Sequence, residues 1–222
     1  MDWTAFAVSL QLGGLAVAAL LPVGILLGGW LATHPFRGRG VVEAALALPL
    51  VLPPTVLGYY MLVGLGRDSA LGGLYEQVTG TTLVFSFEAL VLASIVVNLP
   101  FAVQPVQRAF EAIPREVREA AACCGMSWWR RLWRVELPLA WPGVLTGMVL
   151  TFAHTLGEFG VVLMVGGNIP AETRTISIAI YDEMQAFDAQ AAGRMAALLL
   201  AVSLVTIAAS YMLSGRIGRA RG

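Results

Sequence analysis

The sequence predicts an all-α membrane protein with about five transmembrane helices, and three observations carry that prediction. Of 222 residues, 58% are hydrophobic and 13% charged, against roughly 45–50% and about 25% in a soluble domain. Five apolar stretches, 6–32, 42–65, 83–106, 144–165 and 196–213, match the roughly 20 helical residues that cross a hydrocarbon core about 30 Å thick. The hydrophilic residues concentrate in one long segment, 108–142, so the chain reads as a single transmembrane domain over 1–222 with no repeat and no soluble domain.

The first stretch is expected to stay as a membrane helix. Met1-Asp2-Trp3 ahead of it carries no basic residue, and the apolar run is longer than a signal-peptide core. Trp3 and Trp30 flank it and Trp141 opens the fourth stretch, the usual place for interfacial anchors. Gly24-x-x-x-Gly28 and Gly143-x-x-x-Gly147 permit close helix approach, a pattern common in membrane helices that reads first as ordinary packing.

In the second stretch, Pro53 and Pro54 lack backbone N–H groups, so the carbonyls of Pro49 and Leu50 lose their helical partners. Broken backbone at membrane depth is tolerated where it is buried in protein or lines a cavity. One reading is a structural kink; the other is a translocation helix whose loosened backbone and Thr55 hydroxyl face a pathway. The third stretch carries Glu88 near its start, read as interfacial, and Asn98 within it, read as an interhelical contact. In the fourth, Glu158 is costly, at least about 2.5–3.5 kcal/mol for an acid in a span. His154 lies four residues earlier, and the spacing predicts a Glu158–His154 hydrogen bond in the bundle interior.

Orientation follows from the arginines. With the N-terminus outside, Arg37, Arg39, Arg108, Arg115, Arg118, Arg130, Arg131, Arg134, Arg216, Arg219 and Arg221 fall inside, while Arg67, Arg174 and Arg194 stay outside. That is the positive-inside bias, and it predicts N-out, C-in. The chain ends at Gly222, shortly after the last stretch, which predicts no soluble regulatory domain.

Several chemistries are excluded. All fourteen basic residues are arginine, so the chain holds neither a P-loop lysine nor a Schiff-base lysine. Cys123 and Cys124 are adjacent and offer no CxxC spacing, and His34 and His154 are far apart, so neither a catalytic nor a metal site is expected.

The segment 108–142 has the grammar of two helices. Pro114 suits a first turn, Glu116 and Glu119 follow it, Gly125 is a natural stop, and Ser127 is a natural cap. Beyond Ser127, Trp128, Trp129, Leu132, Trp133 and Val135 share one arc of a helical wheel, with Arg130, Arg131 and Arg134 on the other. Periodicity alone predicts an amphipathic element at the inner membrane face, resting on anionic lipid.

The spacing within it is more specific. Glu119-Ala120-Ala121, three residues, Gly125, nine residues and Val135-Glu136-Leu137-Pro138 resemble the EAA loop of bacterial ABC importer permeases, with Val135 in place of Ile. The resemblance implies that Glu119, Ala120, Ala121, Gly125, Val135, Leu137 and Pro138 couple to a separate ATP-binding subunit, which would bind ATP and magnesium; no cofactor is expected in this chain. The run from Pro49 to Tyr60, together with 155–160 and 166–170, is similar to molybdate permeases. Sulfate permeases share the Leu-Gly-Glu-Phe-Gly stretch.

What the resemblance implies is a type I importer permease. It would act as a homodimer over two ATP-binding subunits, with an extracytoplasmic oxyanion-binding protein docking on outer loops 67–82 and 166–194. The chain would sit in the bacterial cytoplasmic membrane and have no nucleic-acid partner. Pro53, Pro54, Thr55, Asn98, His154 and Glu158 are the pathway or gate candidates, with Glu158 gating or locking helices rather than touching a dianion. No arginine falls clearly inside a predicted span, so passage without tight binding is expected. Tungstate and sulfate remain alternative cargoes. The alternative from another class is an ion-coupled carrier using Glu158 and His154 as a proton relay, which leaves the loop spacing unexplained.

Overall fold

The computed structural model describes residues 1–219, so Arg221 lies outside the described residues. The chain is helical, with no strand among the described residues. Helix α1 spans Trp3–Thr33, its first turn capped by the Asp2 carboxylate accepting the Ala5 N–H at 2.9 Å. After α2 (Arg39–Val51) and α3 (Pro54–Leu65), the short α4 (Ala70–Thr79) leads to α5 (Phe87–Glu111). Then come α6 (Arg115–Cys123), α7 (Trp128–Arg131), a π-helical turn (Leu132–Glu136) and α8 (Leu137–Gly157). The chain closes with α9 (Gly160–Gly166), α10 (Ile176–Gln185) and α11 (Ala189–Arg219).

Four helical segments are long and apolar enough to cross a membrane, and α2 with α3 makes a fifth that is bent by 109°. Packing decides that the bent pair is a crossing. Side chains added at Gly24 and Gly28 of α1 would meet the Ala102 carbonyl at 2.7 Å and the Gln107 nitrogen at 3.0 Å, so α1 and α5 run parallel. Parallel neighbours require the chain to return between them. Helix α2 starts level with Gln107, which reaches Glu43 at 2.7 Å, and α3 ends with Leu65 packed beside Ala89. The pair therefore climbs the whole length of α5.

Helix α8 runs back along α5, and α11 returns parallel to α1, with Met195 beside Ala5. The glycine spacings serve these approaches: a Cβ at Gly143 would sit 2.3 Å from that of Ala109, and one at Gly147 3.2 Å from the Ala102 carbonyl. Both glycine pairs press α1 and α8 onto α5, the central helix of the bundle.

The structure corrects the expected ends of the fourth crossing. The helix begins at Trp128 rather than after residue 142 and runs through Gly157. Pro138 has no N–H and its ring crowds the preceding turn, yet the helix continues because the ladder widens. The Leu137 N–H bonds the Leu132 carbonyl five residues back. Arg130, Arg131 and Arg134 thus belong to the root of a crossing helix, and Arg194 to the first turns of α11.

Candidate functional site

Two sites are built on this frame, one at the end of α5 and one halfway along it. Helix α6 follows α5 after a three-residue turn and projects from the bundle. Its seat is apolar: Val117 packs with Ile113, Leu132 and Leu137. Its end is a Schellman motif, in which the Met126 N–H bonds the Ala121 carbonyl at 3.3 Å and the Gly125 N–H bonds the Ala122 carbonyl at 2.9 Å. Gly125 takes φ +72°, the left-handed conformation that glycine tolerates.

The 3.6-residue period then sorts the motif residues. Ala121, one turn from Val117, is buried, while Glu119 and Ala120 face outward with Ala122 and Cys123. The expectation that both alanines seat in a partner is corrected: only Ala120 lies on the free face beside Glu119, which pairs loosely with Arg115 at 3.4 Å. Leu137 is buried and Val135 and Pro138 are half-buried, so these three root α8 and offer little surface to a partner. Ser127 begins the helix at Trp128 without a side-chain cap.

Sequence reasoning missed the residue that holds this region together. Glu136 lies in the π turn with 2% of its surface exposed, and its Oε1 meets Arg131 Nε at 3.0 Å and Arg118 Nε at 3.3 Å. The pair joins α6 to α7. Arg118 also donates to the Phe110 carbonyl at the end of α5. A second cluster joins α2 to the same end of α5: the Arg39 guanidinium holds Glu43 and Glu111, and Gln107 donates to both carboxylates. The paired signs at these positions were the available signal, but the partners are distant in sequence.

The second site lies where α2 and α3 bend. A cleft of about 240 Å³ is lined by Pro49, Leu52, Pro54, Phe101, His154 and Glu158, among others. The break is as expected: Leu52 ends α2 in extended conformation and Pro53 and Pro54 start α3. Thr55 is exposed and is not among the cleft-lining residues.

Asn98 is fully buried. Its amide nitrogen donates to the Ser94 carbonyl at 2.8 Å and the Thr155 hydroxyl at 3.0 Å, so its oxygen accepts from His154 Nδ1 at 3.1 Å. The expected Glu158–His154 hydrogen bond is replaced. Helix α8 ends at Gly157, Glu158 turns extended, and its Oε2 stands 3.9 Å from His154 Nε2. The Glu158 Oε1 accepts the Val161 N–H at 3.0 Å, and the Ser177 hydroxyl donates to the Glu158 carbonyl at 2.7 Å. Glu158 therefore ties α8, α9 and α10 together at a second helix break. The two breaks touch: a Cβ on Gly160 would come within 2.7 Å of the Pro54 Cβ.

Among the described residues there is no cluster of three or more metal-ligating side chains.

Residues 21–217 match the family model described as binding-protein-dependent transport system inner membrane component. The molybdenum transport system permease protein ModB of Azotobacter vinelandii is 44% identical over 95% of this chain and 93% of its own length. Its namesake in Escherichia coli K12 is 37% identical over 99% of this chain and 96% of its own. A sulfate transport system permease protein of Synechococcus elongatus is 31% identical over 97% and 75%. Among solved structures, a bacterial alginate ABC transporter in complex with its periplasmic protein superposes with a TM-score of 0.77. That match has 19% identity and covers 96% of this chain and 78% of that one, a likeness of fold.

Proposed function

This chain belongs to the family of binding-protein-dependent transport system inner membrane components, and from that premise we propose how it moves molybdate as the permease of an ABC importer. It is a multi-pass protein of the inner membrane, and in this reading the ATP-binding subunits of the transporter are separate chains. The observation that carries the reading is α6, a helix that projects beyond the bundle, exposes Glu119 and Ala120, and is clamped at its root by one buried carboxylate.

Two copies of this chain form the pathway over two ATP-binding subunits that hold ATP and magnesium, each subunit receiving one α6 in a groove. Glu119 offers a charge-assisted contact there and Ala120 allows close approach. The arginine-rich end faces the cytoplasm and the N-terminus lies outside. A soluble oxyanion-binding protein docks on the opposite face, over the segments that carry α4 and α10.

ATP binding draws the two grooves together and displaces α6. Because α6 is seated on α5 and α8, both move with it. From Glu111 to Asn98 is thirteen residues of helix, about 20 Å at 1.5 Å per residue. Asn98, held to His154 and Thr155, delivers that displacement to the contact of the two helix breaks at Pro54 and Gly160. The cleft beside Pro54 opens outward in one state and inward in the other, nucleotide favouring one through its differential contacts at α6. A cleft without fixed cationic side chains passes a dianion without trapping it, so selection rests on the soluble protein.

The test is ATP-dependent uptake of labelled molybdate by proteoliposomes holding this chain, its ATP-binding subunit and the binding protein, with sulfate as competitor. Uptake that needs all three and resists excess sulfate is expected. Displacement by sulfate moves the cargo to sulfate, and uptake by the chain alone, as for a carrier relaying protons through Glu158 and His154, overturns the reading.

A further inference from the structure

We propose that the crevice between the end of α1 and the root of α7 binds one anionic phospholipid of the leaflet on the arginine-rich side. This goes beyond transport and rests on the reading above only for the sidedness. The crevice has two connected parts. An apolar chamber of about 360 Å³, lined by Ile25, Leu26, Trp30, Trp128 and Leu132, ends at the clamped Glu136 carboxylate; chambers of this size hold drug-sized apolar groups. A wider mouth of about 550 Å³ shares Thr33, His34 and Trp128 with it and carries Arg115, Arg118 and Arg131.

Charge and polarity together select the occupant. The three mouth arginines face two carboxylates, Glu119 and Glu136. The two carboxylates offset two of the three arginines, so the mouth keeps one positive charge in excess. A soluble oxyanion suits the rim but gains nothing from an apolar chamber that ends in a carboxylate. A purely apolar segment suits the chamber but wastes the rim. A phospholipid satisfies both, with its phosphate among planar guanidinium groups and part of an acyl chain against Leu26 and Trp30. The level is that of the headgroups: Trp30, Trp128, Trp129 and Trp133 are all exposed here, at one end of two crossing helices. The chamber also opens sideways, since Leu26 and Trp30 are 47% and 42% exposed on the bundle surface.

The experiment uses the assembled transporter, reconstituted in vesicles of equal phosphatidylglycerol and phosphatidylcholine, extracted gently and weighed by native mass spectrometry. Retained phosphatidylglycerol is expected to exceed phosphatidylcholine by about fivefold per excess positive charge. Leu26→Trp, which fills the chamber, and Trp30→Leu, which strips its wall, should bring the ratio to that of the vesicles. Leu200→Trp, on an exposed face of α11, should leave the enrichment intact. A vesicle ratio in the wild type, equal enrichment in Leu26→Trp, or displacement of the lipid by added molybdate would overturn the site. Molybdate uptake by the same vesicles separates the two readings: enrichment without uptake supports the lipid site and sinks the transport reading. Uptake with a vesicle ratio does the reverse.

Discussion

The Glu136 Oε1 lies 3.0 Å from Arg131 Nε and 3.3 Å from Arg118 Nε, so one buried carboxylate fastens the projecting helix to the helix that returns. The arrangement is asymmetric. Removing Glu136 leaves two half-buried guanidinium groups uncompensated, a cost of about 3–5 kcal/mol for a broken buried pair. Removing Arg131 still leaves Arg118 on the carboxylate. Glu136→Gln should therefore lower the melting temperature of the purified permease far more than Arg131→Gln, and should abolish uptake while the chain still inserts. Equal shifts in the two variants would show that no such clamp exists.

Gly125 isolates the cost of the turn from that of crowding. A Cβ there meets nothing within 4 Å, yet φ is +72°. An L side chain in that conformation costs roughly 1–2 kcal/mol, least for Asn and most for a β-branched residue. Gly125→Asn should retain most uptake, and Gly125→Val and Gly125→Trp should lose it with insertion intact. If Gly125→Val transports normally, the turn is not needed to present α6.

The two motif alanines should part ways for the same geometric reason. Ala120→Trp adds bulk to the free face and should block co-purification of the ATP-binding subunit without changing the stability of the permease. Ala121→Trp overpacks a buried position beneath α6, costing about 1–3 kcal/mol, and should destabilise the permease itself. Loss of co-purification in neither variant would move the subunit contact off α6.

How far the sequence reveals this molecule depends on whether the relevant partner is near in the chain. Twenty-residue apolar runs announce the crossings, and Pro53-Pro54 announces the bend because two missing N–H groups cannot be hidden. The start of the fourth crossing is obscured because Pro138 reads as a helix limit, whereas the π turn at Leu132–Glu136 absorbs it. Glu136 reads as one more acid in a charged loop because the fold alone brings Arg118 to it. The same holds for His154: the i,i+4 rule points to Glu158, but the helix ends at Gly157 and the actual partner, Asn98, sits on another helix. The motif spacing was legible throughout, while the division of its residues between a docking face and a root required the orientation of α6.

Contact between the two helix breaks gives a paired test. Gly160→Ala places a methyl 2.7 Å from the Pro54 Cβ, and must push α3 from α9, while Gly157→Ala meets nothing within 4 Å. Molybdate uptake should fall at least several-fold in Gly160→Ala and change little in Gly157→Ala, which closes the last turn of α8 in helical conformation. Similar uptake in both variants would mean that the Pro54–Gly160 contact does not control the pathway.

Glu158 separates a capping role from a charged one. Its Oε1 accepts the Val161 N–H, which a glutamine carbonyl oxygen can also do, whereas alanine cannot; losing such a cap costs about 0.5–2 kcal/mol. If the carboxylate locks helices, Glu158→Gln should keep substantial uptake with unchanged preference for molybdate over sulfate, and Glu158→Ala should lose stability as well as uptake. If it relays protons, Glu158→Gln should be as inactive as Glu158→Ala, and His154→Gln should match them both. A switch of cargo in Glu158→Gln would instead make the carboxylate a selectivity element, which its position on the α9 backbone does not predict. Uptake and thermal melting measured on the same three variants distinguish these outcomes, because only the locking role couples the loss of transport to the loss of the Val161 hydrogen bond.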